Sequence, residues 1–513
     1  MSDWNEGYFT SSTYTYGYYR ELSPVFQRFC LLLRGYAVPE LRSDSNYCEL
    51  GYGQGVSINI HAAAVPGHYF GTDFNPAHAA HANELRQAFN GDAKFFDDSF
   101  EQMLERNDLP QFDSISLHGI WSWISKENQN HITEFARRFL KPGGMFYNSY
   151  NCFPGWAPKS PLREMMILYD QFVGRNQSNT FNRVEGALKF AENLLEAKPI
   201  YANQVPGLAN ILTEIKKHDH NYLAHEYFNR DWICMYFSEV AEILQSAKLD
   251  FACTMNPADA VDQMNLSQDA INFLNGIENK IMKEQTRDYF VNQQFRKDIY
   301  VRGARQLAAA ERNKKLLDMK FVLMTADEIK TEFNTALGKV TFQNPDFPAI
   351  MEHLTADNYR PKKFMDLLQK KPNIPIANIE QAIIVLTHTG NLMPCQDDAA
   401  VKLVKGKCDA LNNYLCSSAE ASDKVNFLAS PVLGGAISLG RFEQVFVSLY
   451  KNSKRDADSL AKEAWRIIER QNQRLIKEGK TLNTAEENIA EFKTMAQNFL
   501  NKRLPILKAL QII

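Results

Sequence analysis

The chain has 513 residues, of which 45% are hydrophobic and 23% are charged, and its formal net charge is -3. This length exceeds what one hydrophobic core usually serves, so we expect roughly two to four domains, and the balanced composition excludes extensive disorder. The small net charge provides no overall positive field for a polyanion, so nucleic acid is not expected as the main partner.

The cysteines and the N-terminal sequence favour a reducing, aqueous compartment. The 8 cysteines are scattered, without a C-x-x-C pair or a histidine at ligand spacing, so we predict no metal centre and no disulfide frame. Residues 1–10 are acidic and polar, where a secretory signal would be basic and then apolar. No apolar run approaches the ~20 residues of a membrane helix, so we expect no membrane insertion and a cytoplasmic location.

Residues 1–34 are predicted to form an aromatic arm or lid. The aromatic side chains near its start follow little period, and they are Trp4, Tyr8, Phe9, Tyr14, Tyr16, Tyr18 and Tyr19. Aromatic rings supply a large contact area both when they pack on the body of a protein and when they cover a ligand. The sequence alone leaves both roles open.

Residues 46–150 alternate short apolar runs with helical stretches. The predicted strands are 47–50, 68–72, 93–96, 114–117 and 144–149, and the predicted helices are 56–64, 76–89, 100–106 and 128–139. This alternation predicts an α/β, Rossmann-like domain with a mostly parallel sheet that is covered by helices on both faces.

The rest of the chain is mainly helical. We expect a helical insertion at about 156–225, a helix over 231–248, and a return to the sheet at 250–254 and 296–302, so that one domain covers 35–305. Residues 306–405 resemble a winged-helix module without a basic recognition face, which favours a structural or partner-binding role. Residues 406–513 are predicted to form a helical C-terminal domain, with one helix over 456–478 and another opened by a capping box at 484–487.

The strongest indication of a site is the run from Glu49 to Gly55, between the first predicted strand and helix. Its glycines, Gly51, Gly53 and Gly55, allow a sharp turn and the close approach of a ligand, and the next helix offers free amides. A nicotinamide site would favour glycine or alanine at position 56, where Val56 stands, but the turn alone does not exclude one.

Acidic residues follow the next two strands. Asp73 stands roughly 20 residues beyond the glycine turn, where an acidic side chain binds ribose hydroxyls in dinucleotide-type folds. It could instead cap the helix that begins at Pro76. Asp98, Ser99 and Phe100 end the third strand, where backbone groups and side chains could hold an adenine.

His118 and Trp123 follow the fourth predicted strand. Ligands bind outside the carboxyl ends of the strands in open α/β sheets, so we expect both side chains at the opening of the site. Core packing would explain the tryptophan equally well.

These motifs together resemble the class I methyltransferases that use S-adenosylmethionine. The resemblance rests on E-L-G-x-G-x-G at 49–55, T-D at 72–73, L-H-G at 117–119 and L-K-P-G-G at 140–144. More narrowly, segments 117–124, 150–156, 161–164 and 222–229 are similar to bacterial methyltransferases with a "methyltransferase regulatory domain". That family includes rickettsial protein-lysine methyltransferases that modify outer-membrane protein B. The resemblance implies S-adenosylmethionine as cofactor, the insertion as regulatory domain, and a homodimer.

Methyl transfer needs an aligned donor and acceptor, because the reaction is an in-line displacement. A lysine acceptor must also lose its charge, which an aromatic channel promotes by desolvation. The predicted catalytic residues are Trp121, Tyr150, Asn151 and Glu226, with Glu226 as the base if one is needed. Further candidates to line the channel or offer a polar contact are Tyr18, Trp123, Tyr147, Asn148, Trp156 and His225.

Three functions stay open at this stage. The leading hypothesis is protein-lysine N-methylation of a bacterial surface protein before its export. The first alternative is methylation of a small metabolite or a cell-envelope precursor. The second is a regulatory or interaction protein that binds S-adenosylmethionine without turnover.

Overall fold

The computed structural model describes residues 15–174, 179–227, 229 and 231–513. Four arm residues, Trp4, Tyr8, Phe9 and Tyr14, and the side chain of His225 therefore lie outside the described part of the chain. A 3-10 turn at Arg20–Leu22 leads into helix α1 (Pro24–Leu33), which is buried along most of its length.

A seven-stranded sheet forms the centre of the first domain, in the order β3-β2-β1-β4-β5-β7-β6. The strands are β1 (Asn46–Leu50), β2 (His68–Thr72), β3 (Ala93–Phe96), β4 (Phe112–Leu117), β5 (Leu140–Asn151), β6 (Leu249–Thr254) and β7 (Phe295–Arg302). Strands β1 to β5 run parallel to one another, whereas β7 runs antiparallel to β5 and β6. The predicted α/β fold is confirmed.

Helices cover both faces of this sheet, which explains why most residues of its strands are buried or half-buried. Between the strands lie α2 (Val56–Ala64), α3 (Pro76–Ala88), α4 (Phe100–Glu105) and α5 (Lys126–Phe139). Helix α3 begins at Pro76 because the side chain of Asn75 accepts a hydrogen bond from the amide of Ala77. Asn75, and not Asp73, is therefore the cap of this helix.

The insertion consists of five helices with a hydrophobic core of their own. They are α6 (Ser160–Phe172), α7 (Thr180–Glu196), α8 (Ile200–Gln204), α9 (Leu208–Ile215) and α10 (His220–Tyr227). Leu162, Leu188, Leu212 and Leu223 belong to this separate core. Because the insertion buries its own apolar side chains, it forms a compact unit at the end of β5.

The chain then returns to the sheet through α11 (Phe237–Gln245). The predicted helix over 231–248 is wrong at its start, because Met235 pairs with Cys152 and residues 231–234 have no helical assignment. Three helices connect β6 to β7, namely α12 (Asp262–Asn265), α13 (Gln268–Asn275) and α14 (Lys280–Val291).

The middle region combines helices with a small sheet in the order β11-β8-β12. Its elements are α15 (Ala309–Asp318), β8 (Lys320–Leu323), β9 (Glu332–Thr335), β10 (Gly338–Thr341), α16 (Phe347–Tyr359), β11 (Lys362–Lys363), α17 (Phe364–Lys370), α18 (Ile376–His388) and β12 (Leu392–Pro394). Phe321 and Phe364 of this region share a core with Phe26 and Phe29 of α1. The middle region is thus fixed to the first domain through α1.

The C-terminal region begins with the long helix α19 (Asp398–Ser418). The rest comprises β13 (Phe427–Ser430), β14 (Gly435–Ser438), α20 (Arg441–Lys451), α21 (Ala457–Glu469), β15 (Ile476–Lys477), β16 (Lys480–Thr481), α22 (Ala485–Asn498), a π-helix (Phe499–Arg503) and α23 (Leu504–Ala509). The boundary predicted between 405 and 406 falls inside α19, which runs unbroken from Asp398 to Ser418.

The predicted helix over 456–478 is wrong in its second half. Helix α21 ends at Glu469, and Glu478 and Gly479 form the turn of the hairpin between β15 and β16 with φ values of 48° and 78°. Two positive φ values are typical of a tight hairpin turn. The capping box at Thr484 is confirmed, since its side chain accepts from the amide of Glu487 at the start of α22.

The C-terminal region supports the helix that follows the glycine turn. Gln396 Nε2 donates to the carbonyl of Ala64 at 2.6 Å, and the Cys408 thiol contacts the carbonyl of Ala63 at 3.3 Å. These contacts lie at the far end of α2. They hold the helix whose first turn borders the candidate site.

Candidate functional site

The glycine turn has a backbone that only glycine adopts without strain. Gly51, Gly53 and Gly55 have φ values of 73°, 57° and 72°. A Cβ atom at Gly51 would lie 2.4 Å from Ile120 Cδ1, and one at Gly55 would lie 2.4 Å from Ala82 Cβ. Side chains at either position would therefore push the turn away from the elements on which it rests.

Asp73 connects the end of β2 to this turn. Its Oδ2 accepts from the Gly53 amide at 2.8 Å, and its Oδ1 accepts from the Asn75 amide at 3.1 Å. His78 Nδ1 lies 2.9 Å from the same Oδ1. A carboxylate offers about four lone-pair positions, so these contacts leave about one for a ligand hydroxyl. Asp73 can accept from two ribose hydroxyls only if one of its present hydrogen-bond contacts is replaced by a hydroxyl.

Glu49, at the end of β1, is a buried acid without a partner. Its side chain makes no hydrogen bond or ion pair within the described ranges, and the residue is 8% exposed. Burial, followed by repulsion from Asp73, raises the pKa of Glu49 to about 8. Since an unpaired buried carboxylate is unfavourable, a cationic group in the adjoining cavity would compensate it.

The three candidates for the adenine have existing contacts of their own. The Asp98 carboxylate pairs with Arg106 at 2.7 Å, and its carbonyl accepts from the Thr72 hydroxyl. Ser99 Oγ caps α4 by accepting from the Gln102 amide at 3.2 Å. The ring of Phe100 is half-buried at the start of the same helix. The acid and the hydroxyl thus shape the end of β3, and the phenyl ring keeps accessible surface.

His118 lies beside the glycine turn, at the end of β4. Its Nδ1 is 2.7 Å from the Tyr147 hydroxyl, and its ring stacks on Tyr19 with centroids 4.0 Å apart. Burial lowers the pKa of His118 to about 4, so the imidazole is neutral at physiological pH. Trp123 is half-buried in a 3-10 turn close by. Both side chains lie near the carboxyl end of β4, as the sequence indicates.

Residues 15–22, which we call the N-terminal strap, cover the glycine turn. The Tyr19 amide donates to Ser57 Oγ at 3.0 Å, and Glu21 pairs with Lys297 of β7 at 2.7 Å. Between the strap and the turn remains a cavity of about 20 Å³, lined by Glu49, the glycine turn and His118. That is room for about one water molecule. This cavity, as the described residues form it, is too small for a nucleoside.

Two of the predicted catalytic residues are in the core. Trp121 and Tyr150 are both 0% exposed. The Tyr150 hydroxyl donates to Asp298 Oδ2 at 2.8 Å, and Asp298 in turn pairs with the buried Arg296. The sequence placed both rings at strand ends, but their side chains point into the layer between the sheet and its helices. Neither can touch an acceptor in this conformation, which corrects both assignments.

Most of the other predicted channel residues are buried too. Tyr147 and Asn148 are 0% exposed within β5, and Trp156 is 3% exposed in the core of the insertion. Tyr18 lies on the far side of α2, where its hydroxyl is 3.3 Å from His61 Nε2 and its ring packs on Phe427. The strap is held there by Tyr18, which does not face the acceptor side.

Two of the predicted catalytic residues, Asn151 and Glu226, lie next to each other. Asn151 Nδ2 donates to Glu226 Oε1 at 3.5 Å, although the two residues are 75 positions apart. Burial raises the pKa of the Glu226 carboxyl, while the hydrogen bond from Asn151 and the charge of Arg163 oppose that rise. This pair lies at the carboxyl end of β5, where the insertion returns to the sheet.

Sequence reasoning missed several residues that border the site. Ser57 anchors the strap, His78 contacts Asp73, Arg163 lies near Glu226, and Trp232 packs against Arg163. Ser57 could have been found as a hydroxyl in the first turn after the glycines. Arg163 stands in the 161–164 segment that carries the family resemblance, but nothing in its local sequence indicates burial.

The described ranges offer neither a cluster of metal ligands nor a membrane-spanning helix. Those residues contain no group of three or more His, Cys, Asp or Glu side chains that could hold a metal ion. Among the same residues, no helix is both long enough and apolar enough to cross a membrane.

Family models match two parts of the chain. A methyltransferase domain matches residues 48–146, and a predicted methyltransferase regulatory domain matches residues 219–302. The second match covers the return to the sheet and the strands β6 and β7. It overlaps the predicted regulatory insertion, 156–225, only over 219–225, so the family's regulatory domain lies mostly after the insertion.

Whole proteins are similar as well. An uncharacterised protein of Synechocystis is 39% identical over 515 residues, which cover 99% of each chain. An uncharacterised protein of Rickettsia prowazekii is 27% identical over 267 residues, 52% of this chain and 47% of that protein. The structure of PKMT2 from Rickettsia typhi in complex with AdoHcy has the same fold, with a TM-score of 0.67, 19% identity and coverage of 96% of this chain and 98% of that one.

The residues around the glycine turn fit the methyl donor of such enzymes. S-adenosylmethionine carries an amino group and a sulfonium, and the unpaired carboxyl of Glu49 is a suitable partner for a cation. The positive φ angles let the turn approach a ligand closely, and Asp73 keeps about one acceptor position. With this fold, this turn and these relatives, the chain belongs to the class I S-adenosylmethionine-dependent methyltransferases that carry a methyltransferase regulatory domain.

Proposed function

We propose that this enzyme is a protein-lysine N-methyltransferase that acts on a bacterial surface protein in the cytoplasm. The observation that carries the proposal is the carboxyl of Glu226, held next to Asn151 at the carboxyl end of β5. A partly buried acid at this edge of the sheet can bind an ammonium and accept its proton. The shared fold with PKMT2 supports the same acceptor class.

The donor side is proposed to work through the backbone and two acids. When bound, S-adenosylmethionine supplies an electrophilic methyl group. Glu49 would pair with the amino group, Asp73 would accept from the ribose, and Phe100 would contact the adenine. The strap then shields the site from water, and its Tyr19 ring fixes the orientation of His118.

The acceptor side is proposed to centre on Glu226. A lysine side chain must be neutral before its nitrogen attacks, and a carboxyl whose pKa is raised by burial holds the removed proton more readily than an exposed one. Asn151 orients this carboxyl through its side-chain amide. In this proposal Trp121 and Tyr150 do not contact the acceptor, because both are buried in the core, where the Tyr150 hydroxyl donates to Asp298.

Transfer to protein is tested with donor labelled in its methyl group and a bacterial lysate. We expect protein-bound label that acid hydrolysis releases as methyl-lysine. Asp73→Ala should lose donor binding, whereas Glu226→Gln should bind the donor and lose transfer. Label in small molecules alone would favour the metabolite or envelope-precursor alternative. Slow hydrolysis of the donor without any labelled acceptor would favour a binding protein.

We also propose a homodimer, as the family resemblance implies. The insertion exposes large apolar side chains, including Phe172 and Ile200, each 78% exposed. Apolar side chains that are this exposed are candidates for an interface. Light scattering after gel filtration should give about twice the chain mass of 58.7 kDa, and Phe172→Glu should lower it. A wild-type mass of a single chain would exclude the dimer.

A further inference from the structure

An arginine of the insertion is buried without a partner for its charge. Arg163, on α6, is 3% exposed, and its Nε and Nη2 have no hydrogen-bond acceptor among the described residues. Its guanidinium lies 4.1 Å from the centre of the Trp232 ring, and burial lowers its pKa to about 10. Buried guanidinium groups are normally paired, because an uncompensated cation in the interior is strongly unfavourable.

Glu226 only partly compensates this charge. Its carboxylate attracts Arg163 through space, but no hydrogen bond joins the two side chains in the described part of the chain. Burial also raises the pKa of Glu226, which favours its neutral form. Glu226, the acid with the largest electrostatic effect on Arg163, therefore leaves the guanidinium with unused hydrogen-bond donors.

Two further groups add a positive charge and a hydrogen-bond donor to this cluster. Lys159 Nζ lies 3.8 Å above the Trp156 ring and donates to Gln294 Oε1 at 3.1 Å. The indole Nε1 of Trp232 is buried without an acceptor. The cluster thus contains three nitrogen atoms whose N–H groups are unused, two on Arg163 and one on Trp232, next to a second cation.

The cluster borders the acceptor side of the site. Ser122 Oγ accepts from the Asn151 amide at 2.8 Å, and the Ser122 carbonyl accepts from the Ile233 amide at 2.7 Å. Trp232 is therefore adjacent to the segment that closes the carboxyl ends of β4 and β5. Ligands of open α/β sheets bind along this edge.

We propose that Arg163, Lys159 and Trp232 form a subsite for an anionic oxygen group of the methyl acceptor, a carboxylate or a phosphate. The inference rests on the proposed function for the identity of the acceptor, and it sharpens the substrate class. An acidic group close to the methylated lysine would pair with Arg163, so that Glu226 could bind the lysine ammonium. A lysine next to an acidic residue, or next to a phosphorylated one, fits this arrangement.

The test titrates the full chain with acetate and with inorganic phosphate, against chloride at equal ionic strength. The readout is the NMR signal of the Trp232 indole N–H, assigned by its loss in Trp232→Phe. We expect a saturable shift with at least one of the two anions. Acetate as the tighter ligand identifies a carboxylate, and phosphate as the tighter ligand identifies a phosphorylated group.

Variants locate the response. Arg163→Gln should lower the affinity for the anion at least about tenfold, because a charged hydrogen-bond partner is removed. Arg183→Gln is the matched control, since Arg183 pairs with Asp170 in the same insertion and should leave the affinity unchanged. The proposal is overturned if Arg163→Gln binds the anion with the same affinity as the wild type. It is also overturned if the wild type shows no saturable shift, and this second result can be obtained even if the variant does not fold.

This readout is independent of the methyl acceptor. If the lysate experiment yields no protein-bound label while the indole shift persists and depends on Arg163, the lysine assignment fails and the anion subsite stands. If label reaches lysine but the indole does not respond, the subsite fails and the lysine assignment stands.

Discussion

The raised pKa of Glu49 predicts that the enzyme releases protons when a ligand binds at the donor site. With a pKa of about 8, its carboxyl is about 90% protonated at pH 7 in the free enzyme. A bound amino group opposite this carboxyl favours the ionised form. Binding of AdoHcy at pH 7 should therefore release about 0.9 protons per site, given the pKa of about 8.

The assay is titration calorimetry in buffers of low and high ionisation enthalpy, such as phosphate and Tris. The slope of the observed enthalpy against the buffer's ionisation enthalpy gives the number of protons released. Glu49→Gln should bind AdoHcy more weakly and release no proton. Glu101→Gln, at an exposed position of α4, serves as the control and should match the wild type. A wild type that releases no proton would refute the placement of the amino group.

The same carboxyl should make the stability of the free enzyme depend on pH. From the ordinary value of 4.5 up to about 8, the unfolded chain loses this proton while the folded protein keeps it, so stability falls as the pH rises. The shift limits the loss to roughly 5 kcal/mol. Glu49→Gln should therefore be more stable than the wild type at pH 8 and nearly equal to it at pH 4.5, as measured by urea unfolding.

Three further changes test other parts of the structure. Gly51→Ala should lower the affinity for AdoHcy at least about tenfold in calorimetry, because its Cβ would clash with a neighbouring side chain. Gly143→Ala is the comparison: with a φ of 78° and no atom within 4 Å of its Cβ, it should lose only about 1–2 kcal/mol of stability. Tyr19→Ala should speed AdoHcy release roughly tenfold in stopped-flow fluorescence, since it removes the stacking contact of the strap, and an unchanged rate would contradict the closing role of the strap. Arg296→Met should lower the free energy of unfolding by about 3–5 kcal/mol, because it leaves buried carboxylates without their shared cation, and an unchanged urea midpoint would contradict this network.

The sheet and its first helices could be predicted because their signals are local. Strand β2 and helix α2 have the predicted limits, since glycine and proline mark their ends: Gly55 precedes α2, and Pro66 and Gly67 separate α2 from β2. The insertion was also visible, because Pro154 and Gly155 interrupt the alternation of strands and helices. Local periodicity is enough where one segment decides its own structure.

The errors occurred where distant contacts decide. Residues before α11 pair with Cys152 at the end of β5, a contact that local sequence does not reveal. The charged segment around Glu478 has good helix formers, but the hairpin turn at Gly479 overrides their propensity. The long helix α19 carries the chain from the middle region into the C-terminal region without a break.

The candidate site divides in the same way. The donor side is formed by a strand, a turn and a helix that follow each other in sequence, so Glu49, Gly51 and Asp73 could be named in advance. Aromatic residues after β4 and β5 could not be assigned, since a ring next to a strand end has the same sequence signal in the core and in a channel. Arg163 becomes buried only when the insertion folds against Trp232.

The two sides of the site each hold a buried ionisable group that the described part of the protein does not fully satisfy. Glu49 on the donor side is mostly protonated at pH 7, and it ionises when a cation binds opposite it. Arg163 on the acceptor side keeps its charge, which Glu226 compensates only in part, and it has unused hydrogen-bond donors. Donor binding would satisfy Glu49 and leave those donors of Arg163 unpaired. An acceptor that brings an acidic group along with its amine would pair with them, and this is why we expect a lysine next to an acidic or phosphorylated residue.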